Sequence, residues 1–357
     1  MLPPGSTIGI LGGGQLGRMI ALSAAKLGLR TQILCPDPDS PAFHVAAGHL
    51  CADYEDEAAL AELARRCDVI TYEFENVPLA SAEFLAARAP LHPGPRALAT
   101  TQDRLTEKSF VRGLGIETAP FAPVHDLASL DAAVAVIGLP AVLKTRRFGY
   151  DGKGQVMLRP GDDLATAFQA IGGRDAILEG FVAFSREVSV IAARRGDGAF
   201  AAYDVTENEH RHHILHRSRA PARLAPHAMH QAREIAERIG AALDYVGVFA
   251  VELFVTSDDL DARVIVNEIA PRVHNSGHWT MDGAVTSQFE QHVRAIAGWP
   301  LGDPARRGPI EMINLIGSDV EDLVQILAEP GTSLHLYGKD EARPGRKMGH
   351  VNRLLLK

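Results

Sequence analysis

Short apolar runs alternate with helix-period segments over the first hundred residues. Thr7–Leu11 has the continuous apolar character of a buried strand. Gly12–Gly14 interrupts it, and Gln15–Leu27 then spaces its apolar side chains as a helix does, with Gly28 just past the end where a left-handed residue closes a helix. Thr31–Leu34 repeats the strand pattern and stops at Pro36-Asp37-Pro38; Glu57–Arg66 is helical and Val69–Tyr72 is another strand. Strand and helix in this alternation predict a parallel sheet. His92-Pro93-Gly94-Pro95 punctuates the chain. Beyond it Gln102–Leu114 reads as a helix, and Ala141–Leu143 and Ala176–Leu178 as strands separated by the glycine-rich stretch Gly149–Gln155 and a further helix. From Glu187 the pattern turns to β: Glu187–Ala193, Ala199–Val205, Gly247–Val255 and Arg263–Ile269, with short strands around a basic turn in Ser333–Lys357. The expected class is α/β and α+β, with a parallel N-terminal part, a mainly antiparallel C-terminal part and no internal repeat.

The chain has 357 residues and 46% hydrophobic content, enough for two or three domains with real cores. Charged residues make up 22% and no tract is of low complexity, which argues against disorder. No apolar run approaches the roughly 20 residues of a membrane span, and Met1-Leu2-Pro3-Pro4-Gly5 lacks the basic start of a secretion signal. Cys35, Cys51 and Cys67 are odd in number and form no C-x-x-C, so they read as reduced thiols in a cytoplasmic protein rather than a zinc site or disulfide framework. A net charge of −8 weighs against a nucleic-acid surface. Anionic metabolites would need locally basic loops.

Such loops exist. Gly12, Gly14 and Gly17 satisfy G-x-G-x-x-G between a strand and a helix, where bare backbone and a helix N-terminus attract phosphate. A dinucleotide site would use Asp37 for ribose, but many α/β folds use this turn only for packing. Tyr72-Glu73-Phe74-Glu75-Asn76 leaves the carboxyl end of a strand, a position suited to ribose hydroxyls and equally compatible with a solvated loop. Lys144–Gln155 packs four cations and three glycines into twelve positions. It is not a Walker A loop; it reads as a phosphate-covering lid, or else as a solvated hairpin tip unusually rich in cations for an acidic protein.

Gly247–Val255 and Arg263–Ile269 flank the polar turn Thr256–Ala262 and predict a hairpin. Symmetry about position 260 sets Glu252 opposite Glu268 on one face, both within apolar strands. Like charges so placed need a cation between them. With Asn267 as a neighbouring oxygen ligand, Mg²⁺ or Mn²⁺ fits, against the bland reading of two exposed rim carboxylates. Leu178–Val182 suits a hinge that binds adenine or a plain linker. His210, His212, His213 and His216 are spaced irregularly with no cysteine near, which favours a polar loop over zinc. Pro271–Trp279 and Arg343–His350 are basic segments that could hold a phosphorylated substrate.

The combination resembles the ATP-grasp superfamily and, within it, the 5-(carboxyamino)imidazole ribonucleotide synthases. The resemblance runs from Ile8 to about Asn352, most specifically through Gly12–Met19, Tyr72–Pro78, Gly149–Gln155, Asn267–Thr280 and Gly345–His350. It implies an ATP-grasp fold with a Rossmann-like domain over residues 1–103, a small lid domain over 104–182, a catalytic domain with the metal hairpin over 183–300, and a C-terminal extension over 301–357. It implies ATP- and bicarbonate-dependent carboxylation of 5-aminoimidazole ribonucleotide in purine synthesis, with Mg²⁺ or Mn²⁺, in a cytoplasmic homodimer.

Carried over by position, Arg104 and Lys144 would contact the ATP phosphates, and Gly149, Tyr150, Asp151, Gly152, Lys153, Gly154 and Gln155 would form the lid. Glu179, Gly180, Phe181 and Val182 would hold adenine and Glu187 the ATP ribose, with His210 and Asn267 also at the nucleotide. Glu252 and Glu268 would bind the metal. Gln15, Leu16, Glu73, Asn76, Arg272, His274, Asn275, Lys339, Arg346 and Lys347, with Asp151, would hold the ribonucleotide, and Lys153, Asp151 and Lys339 would act in catalysis. Some relatives carry arginine at the position of Lys153, which keeps the charge but not the bidentate fork. Two ATP-grasp alternatives are a formate-using glycinamide ribonucleotide transformylase, disfavoured by Gln15 and Asn275, and another ligase of the superfamily. A nicotinamide-dependent oxidoreductase would leave the hairpin and lid unexplained, and a non-catalytic sensor would be expected to lose a metal carboxylate.

Overall fold

The computed structural model describes residues 1–149, 152–257 and 262–355. The first part comprises β1 (Thr7–Leu11), α1 (Gln15–Lys26), β2 (Arg30–Cys35), β3 (Gly48–Cys51), α2 (Glu57–Arg66), β4 (Val69–Tyr72), α3 (Leu79–Ala86) and α4 (Pro95–Thr101). Its sheet has the order β3-β2-β1-β4 and every pairing is parallel. The buried apolar strands β1 and β4 bring their carboxyl ends, at Gly12 and Glu73, side by side.

The helix expected over Gln102–Leu114 begins two residues later, as α5 (Arg104–Gly113). Asp103 is the reason: its carboxylate accepts from Leu105 N at 3.0 Å and Thr106 N at 3.1 Å, an N-cap that separates α5 from α4. Then follow β5 (Phe121–Val124), α6 (Leu127–Ile137), β6 (Ala141–Thr145), β7 (Gln155–Leu158), α7 (Leu164–Ala170) and β8 (Ala176–Gly180), in a four-stranded antiparallel sheet of order β5-β8-β6-β7.

The last part holds β9 (Arg186–Arg194), β10 (Phe200–Ala202), β11 (Thr206–Arg211), β12 (Ile214–Ala220), α8 (Pro226–Ala242), β13 (Gly247–Val255), β14 (Val264–Ala270), α9 (Thr280–Gly283), α10 (Gln288–Ile296), β15 (Ile310–Ile316), α11 (Leu323–Ala328), β16 (Thr332–Leu336) and β17 (Lys347–Leu354). Nine of these strands form one antiparallel sheet of order β14-β13-β9-β11-β12-β15-β17-β16, with β10 on β9, so pairing runs unbroken across position 300. The strand expected over Ala199–Val205 is shorter, because Asp204 leaves the ladder to pair with Arg306 at 2.9 Å and the chain re-enters as β11. The hairpin β13–β14 begins and ends close to expectation, and the tail supplies β16 and β17.

Candidate functional site

The glycine turn after β1 does not present an empty anion cradle. The Glu73 carboxylate, at the end of β4, accepts from Gly14 N at 2.6 Å and from Gly17 N at 2.7 Å. The chain thus supplies its own anion to the helix N-terminus: the turn is an anion site, and the anion left unassigned by the sequence is the Glu73 side chain. Glycine is needed for this approach: Gly12 has φ +106°, and a Cβ on it would lie 2.3 Å from Glu73 Cγ. Burial pushes the Glu73 carboxyl up, against the pull of the two amides. Asp37 is exposed and accepts from Asp39 N at 3.0 Å, away from the cavity described next.

That cavity, of about 800 Å³, lies between the three sheets. One side is lined by Arg104, Lys144, Gly149, Gly152, Lys153 and Gln155, and by Glu179, Gly180, Phe181 and Val182. Glu187 and His210 face it together as an ion pair. Tyr150 and Asp151 lie outside the described residues, and Gly154 sits behind the lining, close to Thr145. The lid is tied down at its base: Arg104 N donates to Arg146 O at 2.9 Å, Arg104 Nη2 to Gly149 O at 3.2 Å, and Arg146 pairs with Asp103 at 2.8 Å. Lys144 Nζ meets Glu179 Oε2 at 3.0 Å. Burial works against the Glu179 charge, but Lys144 and then Lys108 outweigh it and hold the carboxyl down at about 2.

Glu252 and Glu268 are direct partners in the β13–β14 ladder, as the hairpin symmetry required. The register then shifts: Leu253 pairs with Val266, so Asn267 is the extra residue of a bulge. The expected bare repulsion between the carboxylates is corrected, because each has its own partner. Glu252 Oε1 is 3.0 Å from His274 Nε2, and Glu268 Oε2 is 3.1 Å from Arg104 Nη1. Burial raises the Glu252 carboxyl, but His274, His210 and Arg272 together outweigh it and leave it at about 2. Among the described residues no cluster of three or more His, Cys, Asp or Glu side chains suits a metal ion. The hairpin therefore offers two carboxylates and the Asn267 amide, a partial oxygen set of the kind Mg²⁺ completes with phosphate and water.

On the far side the cavity is lined by Gln15, Leu16, Glu73, Asn76, Arg272, His274, Asn275 and Lys347. Arg272 is clamped to Glu75, with Nη2 to Oε1 at 2.8 Å. Lys339 and Arg346 do not line the cavity. Lys339 Nζ donates to Lys347 O at 2.8 Å, one residue behind the lining, and Arg346 Nη1 donates to Glu341 O at 3.0 Å, away from it. Burial, reinforced by Arg346, pushes the Lys339 ammonium down to about 8. Of the histidines, His213 also reaches the cavity, while His212 and His216 do not. Phe74 lies within the Tyr72–Asn76 segment singled out from the sequence; Phe184 and Phe254 line the cavity without having been singled out, Phe254 because it sits in the apolar run of β13.

Family models match in chain order: a ribonucleotide synthetase preATP-grasp domain over residues 5–102, an ATP-grasp domain over 109–289 and a phosphoribosylaminoimidazole carboxylase C-terminal domain over 311–355. The N5-carboxyaminoimidazole ribonucleotide synthase of Brucella melitensis is 53% identical over 355 residues, spanning 99% of this chain and 97% of that one. The chain belongs to the N5-carboxyaminoimidazole ribonucleotide synthase family. It is thus an ATP-grasp ligase, with the fold that family shares. A solved synthetase of this family in complex with ADP is similar with a TM-score of 0.95 and 44% identity, covering 99% of this chain and 93% of that one. The synthase of Aspergillus clavatus in complex with ADP and 5-aminoimidazole ribonucleotide gives a TM-score of 0.92 at 33% identity, covering 98% and 94%.

Proposed function

We propose that this chain carboxylates the exocyclic amine of 5-aminoimidazole ribonucleotide, using ATP and bicarbonate, as a step of purine synthesis. The carrying observation is the single cavity that gathers the lid cations, the hinge, the hairpin carboxylates and the Arg272–Asn275 loop. Two groups of side-chain atoms support assigning its two ends. Glu179 Oε1 at the hinge, and both Nδ2 and Oδ1 of Asn275, are buried with no hydrogen-bond partner among the described residues. Buried polar atoms are costly to leave unpaired, so such atoms mark where a ligand completes the bonding. An adenine amino group suits Glu179, and the ribonucleotide suits Asn275.

In this reading an oxygen of bicarbonate attacks the terminal phosphorus of ATP, ADP leaves, and carboxyphosphate forms. The amine nitrogen then bonds to the carboxyl carbon, directly or after release of CO₂. Phosphate departs carrying the former bicarbonate oxygen, and the amine loses a proton. Lys144, Arg104 and Lys153 offset the phosphate charge, and Gly149–Gln155 excludes water that would hydrolyse carboxyphosphate. Glu252 and Glu268, beside Asn267, would hold Mg²⁺, or Mn²⁺ in its place. The ion supplies charge neutralisation on the phosphates. Gln15, Leu16, Glu73, Asn76, Arg272 and His274 shape the ribonucleotide end, with Lys339, Arg346 and Lys347 giving it positive charge. The reading extends to a cytoplasmic homodimer. No helix among the described residues is long and apolar enough to cross a membrane.

Labelled bicarbonate tests this chemistry. With ¹⁸O-bicarbonate, inorganic phosphate formed in turnover should carry one ¹⁸O atom. Unlabelled phosphate would mean that water, not bicarbonate, takes the phosphoryl group.

A further inference from the structure

Helix α5 holds the hairpin bulge from behind. Arg104, Glu107 and Lys108 stand at i, i+3 and i+4, hence on one face. They engage three successive residues of β14. Lys108 Nζ donates to Asn267 O at 3.0 Å, Arg104 Nη1 meets Glu268 Oε2 at 3.1 Å, and Glu107 Oε1 accepts from Ile269 N at 2.7 Å. A bulged residue loses its place in the ladder, and the Asn267 carbonyl finds its donor in Lys108. The same ammonium lies 3.2 Å from Glu179 Oε2, the carboxylate at the hinge that Lys144 also meets. Lys108 is 2% exposed and lines no part of the cavity.

We propose that Lys108 is a positioning residue for nucleotide binding: one buried ammonium ties the Asn267–Glu268 bulge to the Glu179 hinge and so sets the distance between the two ends of the nucleotide site. This rests on the reading of those residues as the ATP and metal site. A buried cation with one charged and one carbonyl acceptor is held in place by both. Removing it frees the bulge and the hinge to move apart, while Lys144 still neutralises Glu179. The ribonucleotide end, built on Gln15, Arg272 and Asn275, does not touch it.

The test compares Lys108→Met and Lys108→Arg with the native enzyme in steady-state ADP release. Lys108→Met should raise the KM for MgATP by about tenfold, the scale of a lost bond to a charged donor, and should raise the Mg²⁺ concentration needed for half activity. The KM values for bicarbonate and 5-aminoimidazole ribonucleotide should stay within about twofold, since neither substrate end contacts the residue. Lys108→Arg, which keeps charge and donors, should recover most of the loss. If Lys108→Met does not fold, Lys108→Gln carries the same comparison. An unchanged KM for MgATP in a folded neutral variant, or an equal rise for all three substrates, overturns the proposal. Native enzyme that fails to turn over these substrates overturns the functional reading instead, so the two failures are distinct.

Discussion

Glu252 and Glu268 are paired across the β13–β14 ladder, and each is held by a different side chain, Glu252 by His274 and Glu268 by Arg104. The pair can therefore persist without metal, while both carboxylates still face the cavity. Glu268→Gln should cut ADP release by about two orders of magnitude or more, because a metal's charge stabilisation is worth several kcal/mol. The side chain is 37% exposed. Loss of its pair with Arg104 should thus change unfolding free energy by about 1 kcal/mol at most. Thermal unfolding without metal, measured beside ADP release with Mg²⁺, separates the roles. A strongly destabilised yet fully active variant would mean the carboxylate is structural.

Glu73 is the internal anion of the first turn. Glu73→Ala leaves Gly14 N and Gly17 N without their acceptor. With each orphaned donor costing roughly 1–3 kcal/mol, the urea midpoint should fall by the equivalent of about 2–6 kcal/mol. Gly12→Ala should destabilise as well, through its positive φ and the clash with Glu73 Cγ. Wild-type midpoints for both variants would mean that the turn does not depend on this cap.

Lys339 is the cation of the ribonucleotide end that lies nearest to neutrality, at about 8 through burial and then Arg346. From behind the lining its charge should add to the attraction for the substrate phosphate. As pH rises through about 8 the ammonium loses its proton, and kcat/KM for the ribonucleotide should fall to a lower plateau. Lys339→Met should lower the acid-side plateau and remove that limb. A rise in kcat/KM over the same interval would show that the neutral amine is the working form.

How much of this was legible in the sequence depended on whether local pattern carried it. The strands β1, β4 and β13 matched their apolar runs, and the facing of Glu252 and Glu268 followed from two such runs about one turn. The bulge at Asn267 was not legible, because it is set by α5 packing behind β14 rather than by the hairpin's own residues. The start of α5 was misplaced because helical spacing ran through Gln102 and Asp103, while the boundary lay in a capping carboxylate. The glycine turn was recognised as an anion site, but its anion comes from a strand 59 residues away and could not be read from the turn. Lys339 and Arg346 were placed at the substrate by resemblance, and the fold sets Lys339 one residue behind the lining and Arg346 away from it, on Glu341 O.

The central claim is the identity of the reaction, and the most direct measurement is ADP release by the full chain with Mg²⁺ and ATP while the other substrates are varied. Turnover is expected only when 5-aminoimidazole ribonucleotide and bicarbonate are both present, with formate unable to replace bicarbonate. Robust ADP release with glycinamide ribonucleotide and formate, and none with the predicted pair, would contradict it.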